Sequence, residues 1–137
     1  MENLSVIIME KDVETGFLNR ELGSYSIQYD ITLIDRIFAS SDDSNLVINM
    51  YVTVQGNFED WQFNAILDNY NMEVYDEKIL SISEDEDSYN PTWLIKLNFE
   101  QNDDAMERKL NEILTIHSTE LQRVIEEIKD MENEYKN

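Results

Sequence analysis

The sequence predicts an α+β domain, in which an antiparallel β-sheet of about five or six strands carries one short helix and a long C-terminal helix. Two patterns predict this class. Apolar and polar residues alternate in several short segments, as in half-buried strands, and apolar residues recur at helical spacing over about 58–70 and about 104–136. At 137 residues with 42% apolar content, the chain suits one domain with its own core, so we expect residues 1–137 to form a single α+β domain.

The first half of the chain carries the clearest strand signals. Residues 4–10 form a short segment with several β-branched residues, which predicts a first strand, and a return strand is predicted over 17–22. Strict alternation over 26–33 predicts a third strand, which could continue through Ile37 and Phe38 after a shift of face at Ile34. Turn-forming residues at 40–45 join it to a fourth alternating segment, 46–54. These last two strands therefore predict an antiparallel hairpin.

A short helix is predicted after this hairpin, over about 58–70. Phe63, Ile66, Leu67 and Tyr70 are spaced as one face of a helix, and Asn57 is suited to cap its N-terminus. Two further alternating segments then predict a second hairpin. They are 74–83 and 93–99, and the loop between them is acidic and contains Pro91.

A long helix is predicted over about 104–136. Asn102 or Asp103 can cap its start, and neither glycine nor proline follows. A continuous helix of this length would extend about 50 Å. A strand of the predicted length spans only about 25–30 Å. The helix must therefore extend past the sheet or break.

The apolar residues of this helix form a seam in heptad register. Its members are Leu110, Leu114, His117, Leu121, Val124, Ile128, Met131 and Tyr135. Additional isoleucines widen the apolar stripe in its first part, which favours packing on a sheet, while a narrow stripe favours a helix partner. We expect the end, about 126–137, to project toward a second copy, with His117, Leu121, Val124, Ile128, Met131 and Tyr135 as the interaction residues. A frayed, solvated end is the alternative.

His117 is the only histidine of the chain. A structural role is favoured over a catalytic one, because no nucleophile or orienting carboxylate is specifically placed beside it in the sequence. A role as a pH switch stays open, since imidazole titrates near neutrality. With one histidine and no cysteine, we expect neither a metal nor a cofactor site.

The formal charge of −20 limits the classes of molecule that this chain can bind. Phosphate binding needs clustered Lys and Arg, so direct nucleic-acid binding is disfavoured.

Three further motifs are interpreted as structural. The acidic run 84–87 lacks the ligand pattern of an EF-hand and is interpreted as a solvated loop. Trp61 and Trp93 lie on periodic apolar faces, which favours core packing over a stacking platform. The three glycines are too far apart to form a phosphate loop.

The N-terminus lacks the pattern of a signal peptide, and no segment approaches the length of a membrane span, so a cytoplasmic protein without membrane contact is expected. The strings DWQFNAILDNY, DSYNPTWLIKL and LNEILTIHSTELQRVIEEIKDMENEY resemble a small uncharacterised family of cytoplasmic proteins in clostridial-type bacteria. The resemblance covers most of the chain. It implies a bacterial, cytoplasmic setting and assigns no role to any residue.

Together these patterns predict a non-enzymatic cytoplasmic interaction protein that forms a homodimer. The alternative is an acidic inhibitor that mimics nucleic acid and occupies the basic surface of a DNA- or RNA-binding protein, because a dense array of carboxylates can compete with phosphates. An enzyme that uses carboxylates alone is the least favoured of the three.

Overall fold

A computed structural model describes residues 4–12, 14–42 and 45–136. It contains a six-stranded sheet in the order β2-β1-β3-β4-β6-β5. The strands are β1 (Leu4–Lys11), β2 (Leu18–Ile27), β3 (Ile34–Asp42), β4 (Asn45–Thr53), β5 (Ser81–Glu84) and β6 (Thr92–Asn98), and the helices are α1 (Asp60–Asn69), α2 (Asp103–Ile128) and α3 (Glu132–Lys136). The predicted α+β class, with a short helix and a long C-terminal helix, is confirmed.

The sheet is mostly antiparallel, and among the strands of the described residues one pair is parallel, β1 with β3. The chain leaves β2 at the sheet edge, passes the start of β1, where Ile27 is opposite Leu4, and returns on the other side of that strand. Both β1 and β3 therefore run opposite to β2, and they are parallel to each other. A connection of a few residues suffices, because it crosses only two strand spacings of about 4.8 Å each.

The predicted strand over 26–33 is wrong for most of its length. Only Ser26 and Ile27 belong to a strand, and Ile31–Leu33 form a 3-10 turn. The Asp30 carboxylate accepts hydrogen bonds from the backbone N–H and the hydroxyl of Thr32, at 3.0 and 2.7 Å. Such local side-chain bonds favour a turn over a strand. The hairpin partner of β4 is therefore β3, which runs to Asp42, and residues 43–44 of the predicted turn lie outside the described residues.

The short helix α1 confirms the predicted helix but begins later. Its N-cap is Glu59, whose N–H donates to the side-chain oxygen of Gln62 at 2.9 Å, so the expectation for Asn57 is wrong. The predicted strand over 74–83 is also wrong in its first part. Residues Met72–Lys78 form 3-10 turns interrupted at Asp76, and only Ser81–Glu84 pair with β6. Asn71 starts these turns, because its side chain accepts from the N–H of Glu73.

The long C-terminal helix breaks near residues 129–131. Asn102 caps α2, accepting from the N–H of Ala105 at 2.9 Å, and α2 ends at Ile128. The short helix α3 then packs against α1. No glycine or proline causes this break, so tertiary contacts of the last turn hold it.

The core lies between one face of the sheet and the helices. Ile48, Met50 and Val52 of β4 alternate along this face and pair with Leu97, Ile95 and Trp93 of β6. All six side chains are fully buried. Apolar residues of α1 and α2 complete the cluster: Ala65, Ile66, Met106, Leu110, Ile113, Leu114, Leu121 and Val124.

Candidate functional site

His117 lies at the centre of a buried polar network that joins β4, α1 and α2. Its Nε2 is 2.9 Å from the carbonyl oxygen of Thr53, and its Nδ1 is 2.8 Å from the hydroxyl of Tyr70. The Tyr70 hydroxyl is in turn 2.5 Å from that of Tyr75. The histidine and Tyr75 are fully buried, and Trp93 packs edge-on against the imidazole.

The geometry assigns a neutral tautomer to His117. A carbonyl oxygen only accepts, so Nε2 carries the proton and donates to Thr53. Nδ1 then accepts from Tyr70, and the Tyr70 oxygen accepts from the hydroxyl of Tyr75. Burial lowers the pKa of His117 to about 4, against the opposing effect of the Thr53 carbonyl. Both ring nitrogens are engaged, so the imidazole has no nitrogen left for a substrate or a metal.

A second buried polar contact ties α2 to the end of α1. The Glu120 carboxylate accepts from the N–H of Asn71 at 2.7 Å and from two nitrogens of Arg123. Burial would raise the pKa of Glu120, but the hydrogen bonds from Arg123 and Asn71 outweigh it and the pKa is lowered. Arg123 also donates to the carbonyl of Asn69. This carboxylate therefore stays ionised and fastens two helices together.

The interaction residues expected on the helix seam lie mostly in the chain's own core. His117, Leu121, Val124 and Ile128 are buried against the sheet and α1. Met131 and Tyr135 are half-buried against α1, where the Tyr135 hydroxyl donates to Asp68 at 3.0 Å. The described part of the end thus folds back on the domain. A contact of Met131 and Tyr135 with a partner stays a prediction.

The second face of the sheet, called the open face below, has no helix on it within the described ranges. Cross-strand partners share a face, so the registers define it. Arg36 pairs with Tyr51 and Tyr51 with Leu94, while Phe38 pairs with Asn49 and Asn49 with Lys96. Phe38, Tyr51 and Leu94 are only half-buried. The residues that alternate with them on the core face are mostly fully buried: Ala39, Met50, Val52, Trp93 and Ile95.

Four side chains form a continuous row across the open face, called the cation–aromatic row below. Lys11 Nζ lies 4.8 Å from the ring centroid of Phe38, and the guanidinium carbon of Arg36 lies 4.0 Å from that of Tyr51. The two rings stack with centroids 6.3 Å apart. Each ring thus has a cation on it, a contact worth roughly 0.5–1 kcal/mol at an exposed site.

The two ends of the open face differ in character. At one end β1 and β2 meet, with Lys11 opposite Leu18, and the neighbouring Phe17 is 73% exposed. At the other end lies the acidic loop of residues 84–90, where Asp85 is 4.0 Å from Arg36. Tyr89 of this loop is 85% exposed. The sheet therefore presents large apolar side chains at both ends.

The cation–aromatic row was not predicted from the sequence. The sequence allowed the third strand to continue through Phe38, but no pattern in it indicated that β1 would lie beside this strand with Lys11 over the Phe38 ring. Trp93 is buried in the core as expected, and Trp61 packs against the core while its indole N–H donates to Glu59 at 2.9 Å.

Other surface features are already occupied by internal contacts. A groove beside α2 contains Gln28, whose N–H donates to Asn111, and Lys78, whose ammonium is 3.1 Å from Glu112. Within residues 4–12, 14–42 and 45–136 no group of three acidic or histidine side chains is arranged to hold a metal ion. In the same part of the chain, no helix has both the length and the apolar character needed to span a bilayer.

No curated protein and no solved structure matches this chain. The sequence model of one protein family does match it, over residues 1–136. The expected resemblance to a family without an assigned function is thereby confirmed at the level of the family. The chain belongs to DUF6762, a family of unknown function.

Proposed function

We propose that this chain is a non-enzymatic protein-interaction module that acts as a homodimer in the bacterial cytoplasm. The observation that carries the proposal is the open face, which leaves aromatic and apolar side chains without a covering helix. The bacterial and cytoplasmic setting rests on the resemblance of the sequence alone.

The buried network supports a non-enzymatic role. His117 donates to Thr53 and accepts from Tyr70, and its side chain is fully buried. A general base must reach the proton that it removes, directly or through one water. Here the only imidazole of the chain is enclosed and already paired, so it stabilises the fold.

The exposed side chains of the open face support an interaction role. Ile7 is 54% exposed and pairs with Ser24, and Leu18 is 53% exposed beside Lys11. With the half-buried Phe38 and Tyr51 they extend the apolar surface across neighbouring strands. Extended exposed apolar surfaces on soluble domains mark contact sites for other molecules.

A pair of matched variants tests this proposal. Phe38→Ser removes an aromatic ring from the open face, and Tyr29→Ser removes one from the groove beside α2. The dimer dissociation constant is measured by sedimentation equilibrium from micromolar to near-millimolar concentration. We expect Phe38→Ser to raise the constant by at least about tenfold, as central aromatic contacts do, and Tyr29→Ser to leave it unchanged. A wild-type chain that stays monomeric throughout this range overturns the homodimer.

A second function, mimicry of nucleic acid, is favoured by the charge distribution. Lys78, Lys109, Arg123, Lys129 and Lys136 are each paired with carboxylates of the helices and loops, where many more acids remain. This acidic surface suits a basic partner. The test measures whether this chain displaces an oligonucleotide from a basic DNA-binding domain, and whether added salt weakens the displacement. A charge-matched acidic protein is the control, and equal displacement by both proteins overturns mimicry.

A further inference from the structure

We propose that two copies pair open face to open face about a two-fold axis, so that the acidic loop of each copy lies over the Lys11 end of the other. The inference rests on the proposed homodimer and specifies its surface and orientation. The partner it names is a second copy of this chain.

The ends of the open face are opposite along the strands. Lys11 is the last residue of β1, next to the second half of β3, because Glu10 pairs with Ala39. Arg36 is near the start of β3 and pairs with Tyr51. The acidic loop adjoins this start, since the Asp85 N–H donates to the carbonyl of Thr92 at 2.9 Å. The cation–aromatic row therefore runs from the Lys11 end to the loop end.

The charges of these two ends are complementary. Residues Glu84–Asp87 are four consecutive acids, and Arg36 is the cation of the described chain that approaches them. At the other end, Lys11 has no carboxylate within 4.0 Å in the described ranges, and neither has Lys96 on the same face. The nearby carboxylate of Glu10 is paired with Arg20 at 2.6 Å. An acidic segment of a partner is thus the natural counterion for Lys11.

The orientation follows from these charges. If two open faces met in parallel, acidic loop would face acidic loop and lysine would face lysine. A two-fold axis that reverses the row places each loop over the other copy's Lys11, so the same favourable contact forms twice. The half-buried rings of Phe38 and Tyr51 then meet at the centre. Face-to-face sheets pack about 10 Å apart, which side chains of this size fill.

The occupied ring faces disfavour a nucleic-acid strand on this surface. Bases stack on free aromatic faces. Phe38 and Tyr51 stack on each other, and Lys11 and Arg36 lie on them. A base would have to displace one of these contacts before it could stack.

Disulfide trapping tests the orientation directly, because the chain contains no cysteine. Phe17→Cys and Tyr89→Cys chains are mixed in equal amounts and oxidised slowly. Both positions are highly exposed, so the fold tolerates the substitutions. We expect the disulfide between positions 17 and 89 to form in preference to either symmetric disulfide. Tyr29→Cys mixed with Tyr89→Cys is the control, and no preference over this control overturns the orientation.

A charge exchange tests the contact without crosslinking. Lys11→Glu and Glu86→Lys should each raise the dimer dissociation constant several-fold, and the two changes in one chain should restore it. The control is a chain that combines Lys11→Glu with Glu126→Lys, which makes the same change of charge on the helix side of the molecule. This combination should not restore the dimer dissociation constant.

The outcomes separate the inference from the proposed function. A dimer that Lys11→Glu leaves unaffected overturns this arrangement and leaves the homodimer standing. A monomeric wild-type chain overturns both. A fluorescent single-stranded oligonucleotide that binds wild type, and loses binding with Lys11→Glu, assigns the open face to nucleic acid and also overturns the inference.

Discussion

The Tyr70 hydroxyl donates a 2.8 Å hydrogen bond to Nδ1 of His117, across 47 residues of sequence. This contact connects the end of α1 to the middle of α2, and the other ring nitrogen connects α2 to the end of β4 through Thr53. Without these partners, the two ring nitrogens would be buried and unpaired. Leaving one buried polar group unpaired costs about 1–3 kcal/mol. The network therefore holds both helices on the sheet.

The stability of the protein should decrease between pH 6.5 and about 4 because of His117. Its pKa in the folded state is about 4, below the ordinary value of 6.5. Over this interval the unfolded state binds one proton more than the folded state, so the free energy of unfolding falls as the pH falls. The histidine alone accounts for a loss of about 3 kcal/mol, which urea unfolding at several pH values measures.

The single imidazole gives this prediction an independent control. Its Cε1 proton signal in NMR reports the protonation of His117 without any substitution. The signal should not titrate near pH 6.5 in the folded protein. Titration close to that value would show that the ring is solvated and would contradict the buried network. The His117→Gln variant should have a weaker dependence of stability on pH in the same interval.

Removing the hydroxyl of Tyr25 should stabilise the protein. This side chain is 1% exposed, and its oxygen has no hydrogen-bond partner among the described residues. Tyr25→Phe removes an unpaired buried polar group and should raise the free energy of unfolding by about 1 kcal/mol. Tyr75→Phe is the matched control, because its hydroxyl donates to Tyr70 and its loss should lower stability. Chemical denaturation measures both, and changes of the same sign would refute the contrast.

Gly23→Ala should destabilise the β1–β2 hairpin. A Cβ at this position would overlap the Tyr25 hydroxyl oxygen and lie 2.7 Å from its ring. The tyrosine is buried and cannot move aside freely, so overpacking should cost about 1–3 kcal/mol. Ser24→Ala on the exposed neighbour is the control and should change stability little. The cost should be smaller in a Tyr25→Phe background, because the closest atom is then absent; an equal cost in both backgrounds would rule out this clash.

The elements with a strong period were predictable from the sequence, and those set by local side-chain bonds were not. Alternation in 46–54 and 93–99 identified β4 and β6, and the helical spacing identified α1 and α2. Alternation over 26–33 misled, because Asp30 bonds to Thr32 and turns the chain. The position of His117 in the seam was visible, but its partner Tyr70 lies in another element, so no local pattern could supply it.

The side chains that meet on the open face were less predictable from the sequence than the buried network. Its row combines Lys11 of β1 with residues of β3 and β4, so it depends on the parallel placement of β1 beside β3. Single-strand periodicity contains no information about which strands become neighbours. The length of the predicted helix indicated that it would extend past the sheet or break, but the position of the break after Ile128 could not be predicted, since no glycine or proline marks it.

Tyr135→Ala should free α3 without affecting α2 or the proposed dimer. The Tyr135 hydroxyl donates to Asp68 and accepts from Asn69. Lys136 pairs with Glu132 of its own helix at 2.7 Å, and its other carboxylate contact, with the exposed Glu59, is longer at 3.9 Å. A five-residue helix is unstable alone, so losing this anchor should increase hydrogen exchange over 132–136 while α2 stays protected. If the open face forms the dimer, the dissociation constant stays unchanged in this variant. A constant raised tenfold would instead place the C-terminal seam, with Met131 and Tyr135, in the interface.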